Sequence, residues 1–225
     1  MTRYKPEFIL GAILLALFLA VCYWLAPGHV LTKTEIDTYL QRIDQLAPLP
    51  AAQKAEFIAD LRAWGEADDG KPVYMFNLMR YHDQLQPLPG QEIKAKTPAE
   101  ANAIYESMTM GLALAGGVQM PIGSNVQGVP TKPTPSSNII GHAKDADNWS
   151  RLLVVRYPCR RAFFELVGNP DYLTKIAPYK FSALHVDLVP TDGSTIMLDH
   201  RVLLGFGSLV LFLAFGWLRA SRRRS

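Results

Sequence analysis

Five polar side chains interrupt otherwise apolar stretches of this chain. Asn77 lies inside Val73-Tyr-Met-Phe-Asn-Leu-Met, and Arg80 follows at the end of the same run. Arg156 comes directly after Leu152-Leu-Val-Val, and His185 and Asp187 alternate with Leu184, Val186 and Leu188. Alternation at period two puts His185 and Asp187 on one face of a strand. A histidine beside a carboxylate, with an arginine nearby, can exchange protons with a small acidic substrate. The same residues support a plainer arrangement, in which Arg156 pairs with Asp187 and His185 is a hydrogen-bonded edge residue. Asn77, Arg80, Arg156, His185 and Asp187 are therefore ligand-pocket candidates, and no residue is singled out as catalytic.

Other chemistry is weakly signalled. His142-x-x-Asp145-x-Asp147 offers mixed nitrogen and oxygen donors, but its spacing fits no established metal pattern, and no metal site is expected. Cys159 falls where a helix would begin, a position that lowers a thiol pKa. No phosphate-binding glycine loop and no Gly-x-Ser-x-Gly elbow occur. No cofactor is expected.

The elements that must hold these residues can be read in order. Thr34 with Asp37 makes a weak capping box for a helix carrying Ile36, Leu40 and Ile43 on one face. Pro48 and Pro50 end it, and Ala51 to Asp68 reads as a second helix with Phe57, Leu61 and Trp64 at helical spacing. Pro72 to Tyr81 is a strand in which Met75, Asn77 and Met79 share a face. Thr97-Pro98-Ala-Glu100 is a strong helix start, and Gly116-Gly117 is its stop. Val118 to Val126 reads as an edge strand broken by Pro121 and Gly123. A long Pro/Ser-rich segment, 128–150, follows. Arg151 to Tyr157 is apolar on both faces between its arginines, with Arg151 expected at the surface; Pro158 stops it, and a helix begins at Arg160. A short helix and a last strand, Phe181 to Val189, complete the order β-α-β-β-α-β. That order predicts an α+β fold of the ferredoxin-like, split βαβ kind.

Val73-Tyr-Met-Phe-Asn-Leu-Met-Arg-Tyr, Gly116-Gly117, and Trp149-x-x-Leu-Leu-Val-Val-Arg-Tyr-Pro-Cys-Arg-Arg-Ala-Phe with Asn169-Pro-Asp-Tyr resemble a family of uncharacterised bacterial domains in the dimeric α/β-barrel superfamily. The resemblance covers residues 71–190 and is most specific in its second half. It implies that a partner subunit's sheet covers the sheet face opposite the helices, with a ligand space between the two sheets. Members more often carry Ser at the position of Cys159, which makes the cysteine a weak substitute for a cap. Relatives in the superfamily include cofactor-free monooxygenases, isomerases and haem enzymes, so fold alone selects no activity. The helices before residue 71 are the other candidates to cover the second sheet face.

Apolar residues are unevenly distributed over the 225 positions. Phe8 to Ala26 and Val202 to Leu218 are uncharged and apolar, and roughly 20 residues span a bilayer core, with about 17 as the lower limit. Leu19-Ala-Val-Cys22 is similar to a lipoprotein box, but Val21 is bulky and Tyr23-Trp-Leu continues the apolar run. A retained anchor is therefore expected. Arg3 and Lys5 precede the first run, and Arg219, Arg222, Arg223 and Arg224 follow the second, which places both termini in the cytoplasm. The expected organisation is a cytoplasmic start (1–7), a transmembrane helix (8–27), a helical neck (28–70), the ferredoxin-like domain (71–190), a linker (191–201), a second transmembrane helix (202–218) and a basic tail (219–225). This places the domain in the periplasm or at the exterior of a bacterial inner membrane. The net charge of +3 combines a basic excess at the two ends with a slightly acidic part outside, so that part has no basic stripe for nucleic acid. Expected partners are the lipid bilayer, a second copy of the chain and a small-molecule ligand. The function expected is that of a membrane-anchored accessory or small-ligand-binding protein; the alternative is a cofactor-independent monooxygenase or isomerase acting on a small apolar or acidic substrate.

Overall fold

Two Thr-x-x-acid sets compete to start the first helix after residue 28, and the structure, a computed structural model, uses the earlier one. It describes residues 5–26, 28–88, 90–127, 148–194 and 200–222. His142, Asp145 and Asp147, and the terminal Arg223 and Arg224, lie outside those residues. Two compact units make up the chain, Met1–Asp192 and Gly193–Ser225. The first holds α1 (Lys5–Trp24), α2 (Lys33–Leu46), α3 (Ala51–Glu66), β1 (Val73–Tyr81), α4 (Pro98–Ala115), β2 (Gln119–Asn125), β3 (Arg151–Tyr157), α5 (Arg160–Val167), a π-helical turn at Tyr172–Ile176, α6 (Ala177–Ala183) and β4 (Leu184–Thr191). The second holds α7 (His200–Arg222).

Thr32, not Thr34, caps α2. Its Oγ1 accepts from the Glu35 amide at 3.3 Å, and the Glu35 carboxylate accepts from the Thr32 amide at 2.8 Å. The register is fixed from outside the helix, because Arg161 of α5 donates twice to Glu35, at 2.5 and 2.6 Å. These bonds, Arg161 first and Thr32 next, hold the Glu35 carboxyl well below the usual carboxylate range. The expected start of α4 is observed: Thr97 caps it, Pro98 opens it, and the Glu100 amide donates to Thr97 Oγ1 at 3.2 Å. Cys159 occupies the cap position of α5 without a side-chain hydrogen bond and is buried. The last strand begins at Leu184; Phe181, Ser182 and Ala183 still belong to α6.

The four strands form one antiparallel sheet in the order β2-β3-β1-β4. Pairs directly opposite share a face, so the register sorts every side chain. Met75 opposes Val155, Asn77 opposes Leu153 and Leu188, and Met79 opposes Val186. These point toward α4, α5 and α6. Tyr74 opposes Arg156; Phe76 opposes Val154 and Val189; Leu78 opposes Leu152 and Asp187; Arg80 opposes His185. These point the other way. The core falls into two clusters, a larger one around Met75, Phe163 and Phe164 and a smaller one around Met79, Leu153 and Leu184.

The neck does not cover the second sheet face. Ile36, Leu40 and Ile43 of α2 and Leu61 of α3 join the larger cluster with Phe164 and Met75, on the helix side. Trp64 stacks on Phe164 and meets Phe163 edge-on. Asp68 accepts from the Leu31 amide at 2.8 Å, and Arg160 donates to the Trp64 carbonyl at 2.6 Å. Gly117, with φ +70°, allows the Trp24 carbonyl at the end of α1 to approach; a Cβ there would lie 2.7 Å from that oxygen.

Arg151 is not a free surface residue. Its guanidinium grips Glu106 of α4 through two bonds, at 2.6 and 2.8 Å, and Asn125 of β2 at 3.0 Å. One side chain therefore ties β3 to its neighbouring strand and to the helix above it.

Candidate functional site

The two core clusters leave a cavity of about 260 Å³ between sheet and helices. Its floor is the helix-facing side of the sheet, with Asn77, Met79, Leu153, Val155, Tyr157, Val186 and Leu188. Its roof comes from α4, α5, α6 and the π-helical turn, and the neck closes one side with Leu49, Gln53 and Phe57. The lining is mostly apolar, with a few polar groups that can orient a ligand, the usual character of a small-molecule site.

Three tyrosines and one lysine are among its polar groups. The Tyr105 and Tyr172 hydroxyls lie 3.4 Å apart, and their rings meet edge-on. Burial pushes the Tyr157 phenol far above its ordinary value. Burial first, and Tyr105 second, raise Tyr172 in the same direction. Both remain neutral hydroxyls. Lys180 of α6 is 8% exposed, and its ammonium sits 5.5 Å from the centre of the Tyr105 ring. Glu106 also reaches the lining, but Arg151 and Asn102 occupy it, the latter donating at 2.9 Å.

The five residues predicted to share a site do not converge. Asn77 lines the cavity and is nearly buried, its amide donating to the Met75 carbonyl at 3.1 Å. Arg80, Arg156, His185 and Asp187 belong to the opposite face of the sheet. There His185 and Asp187 lie 3.3 Å apart with both side chains more than half exposed. Their shared face is the arrangement expected from the alternation. Asp187 is thus the partner of His185 rather than of Arg156. Arg156 Nη1 is buried without a hydrogen-bond partner, and Arg80 lies over the Trp149 ring at 4.8 Å. Among the described residues no three of His, Cys, Asp and Glu gather as a metal site.

Sequence reasoning missed Lys180, Tyr105 and Tyr172. For Lys180 a signal existed. Ala177, Lys180 and Ala183 recur at helical spacing, and all three are buried, so the lysine stands in the inward stripe of α6. The tyrosines carry no comparable mark, because an aromatic in an apolar stripe reads as core.

No family model and no curated protein matches the chain. Solved structures similar to it include the RPA0582 protein of unknown function from Rhodopseudomonas palustris, a structural genomics target. That match has a TM-score of 0.50 and 19% identity, and covers 67% of this chain and 98% of that one. A methylated RPA0582 protein is similar over 60% of this chain and 88% of its own, with a TM-score of 0.48 and 21% identity. At these identities the likeness to the first is one of fold alone: an α+β chain with a four-stranded antiparallel sheet.

Proposed function

We propose that this chain is a membrane-anchored protein that binds a small, mainly apolar molecule between its sheet and its helices. The observation that carries the reading is the cavity of about 260 Å³, close to the lower end of the ~300–1,000 Å³ typical of small-molecule sites. The strand order, with one helical crossover in each half, supports assigning the domain to the ferredoxin-like arrangement and its dimeric barrel relatives. Separation of Asn77 from Arg156, His185 and Asp187 favours binding over acid–base chemistry at one convergent site.

Anchoring rests on α7, 23 residues long with an 18-residue window of mean hydropathy 1.9, and on the shorter apolar stretch Ile9–Trp24 of α1. Leu204, Phe206, Leu211 and Phe212 of α7 and Leu17, Phe18 and Leu19 of α1 are all more than half exposed. Exposure of that kind on a helix apolar all round suits lipid. With the positive charges at both ends, this supports a reading with two spans, cytoplasmic termini and the sheet domain outside.

The test is native mass spectrometry of the full chain in lipid nanodiscs, alongside an Ala113→Phe variant that fills the cavity from α4. A small molecule bound to the wild type and missing from the variant is the expected result. An equal load on both proteins, or on neither, would remove the cavity as the binding site.

A further inference from the structure

Lys180 is the one charge in the cavity lining that no carboxylate answers. Glu106, the other charged lining residue, is neutralised by Arg151 at 2.6 and 2.8 Å. Among the described residues no acid lies within ion-pair distance of the Lys180 ammonium, and its recorded contact is the face of Tyr105. A charge removed from water is strongly disfavoured until it is paired or hydrogen-bonded. A cation–π contact is worth only ~2 kcal/mol when desolvated. The inward stripe of α6 would accommodate an apolar residue at position 180, as it does at Ala177 and Ala183.

We infer that the cavity takes an apolar monocarboxylate, whose carboxylate pairs with Lys180 and accepts a hydrogen bond from the Tyr105–Tyr172 hydroxyl pair. This deepens the proposed function and rests on the cavity being the binding site. When one tyrosine donates to the other, the second hydroxyl proton is left for the ligand. The apolar part then lies over Leu153, Val155 and Leu188, against Phe57 and Phe163. A dianion would leave one charge unmatched, since the lining holds a single free cation among the described residues. An amine would face Lys180 directly. The cavity's modest volume limits the ligand to a compact acid, aromatic or short-chain.

Phenylacetate and its neutral analogue 2-phenylethanol test this on the full chain in lipid nanodiscs, by isothermal titration calorimetry with empty nanodiscs as the blank. Phenylacetate is expected to bind at least tenfold more tightly than 2-phenylethanol. Lys180→Met should abolish that preference by weakening phenylacetate binding about tenfold. Binding of 2-phenylethanol as tight as that of phenylacetate would overturn the assignment while leaving the cavity as a site. An undiminished preference in Lys180→Met would do the same. Binding of neither probe would overturn both this inference and the reading on which it rests. The comparison of the two probes on the wild type stands even if the variant does not fold.

Discussion

Single side chains in this protein show their roles only through partners far off in sequence. Arg151 looks like a solvated strand entry in the sequence, yet both it and Glu106 are only 19% exposed. Arg151→Ala should therefore lower stability by about 2 kcal/mol, since it leaves a largely buried carboxylate with only the Asn102 amide as a partner. Thermal unfolding of the full chain in detergent measures this, and a Glu106→Gln second change should recover part of the loss. A loss below ~0.5 kcal/mol would return Arg151 to the surface class. Tyr157 gives a pH-dependent counterpart. Its folded pKa is raised above the ordinary 10.0, as is that of Tyr172. Below pH 10 both phenols are protonated in folded and unfolded chains, so their contribution is fully present. Above pH 10 the unfolded chain releases protons that the folded chain keeps, and stability falls as pH rises. Each such tyrosine contributes a slope of about 1.4 kcal/mol per pH unit there. Tyr157→Phe should flatten the alkaline decline of the melting temperature by one tyrosine's share and change little at pH 7.

At the scale of elements, the pieces were legible where local chemistry decides them. Thr97-Pro98 with Glu100 fixes α4, Gly116-Gly117 ends it, and Leu152 to Val155 between Arg151 and Pro158 is a strand on composition alone. What was illegible depends on which surface meets which. The stripe of Ile36, Leu40 and Ile43 announces a buried helix face, but not whether it covers the sheet or extends the helix layer. Likewise, period two puts Met75, Asn77 and Met79 together without saying that α4 and α6, rather than a second subunit, lie over them. Thr34 with Asp37 was read as the cap, and Thr32 caps instead because Arg161, distant in sequence, holds Glu35. The docking of the neck has its own test. Gly65 of α3 is buried, and a Cβ there would sit 2.9 Å from Phe164 and 3.3 Å from Ile36. Overpacking of that kind costs about 1–3 kcal/mol, against roughly 1 kcal/mol gained from helix propensity. Gly65→Ala should thus destabilise the protein by about 1 kcal/mol in thermal unfolding. A rise in melting temperature would mean that the neck is loosely seated.

At the scale of the whole molecule, the sheet face turned away from the helices carries a row of apolar side chains. Ile122, Val154, Phe76 and Val189 form one row across all four strands. Val154 is buried, whereas Phe76, Val189 and Ile122 are 37%, 46% and 49% exposed. A continuous apolar row on a sheet face that none of the described helices covers is the pattern of an interaction surface, because isolated exposed apolar residues need no explanation but contiguous ones do. A second copy meeting it about a two-fold axis would bring row against row, and the His185–Asp187 pairs would lie at the rim. Phe76→Lys with Val189→Lys should convert a dimer of the full chain in detergent to a monomer in sedimentation equilibrium. The melting temperature measured at low protein concentration should change little, because both side chains are already part-exposed. Charges at Met75 or Met79 would be the wrong probe. At 3% and 1% exposure these residues are core, so such variants should fail to fold whatever the assembly. A wild-type chain that sediments as a monomer, or a double-lysine variant that remains dimeric, would assign the apolar row to something other than a second subunit. The cavity on the helix side would be unaffected by either outcome, since no residue of the row lines it.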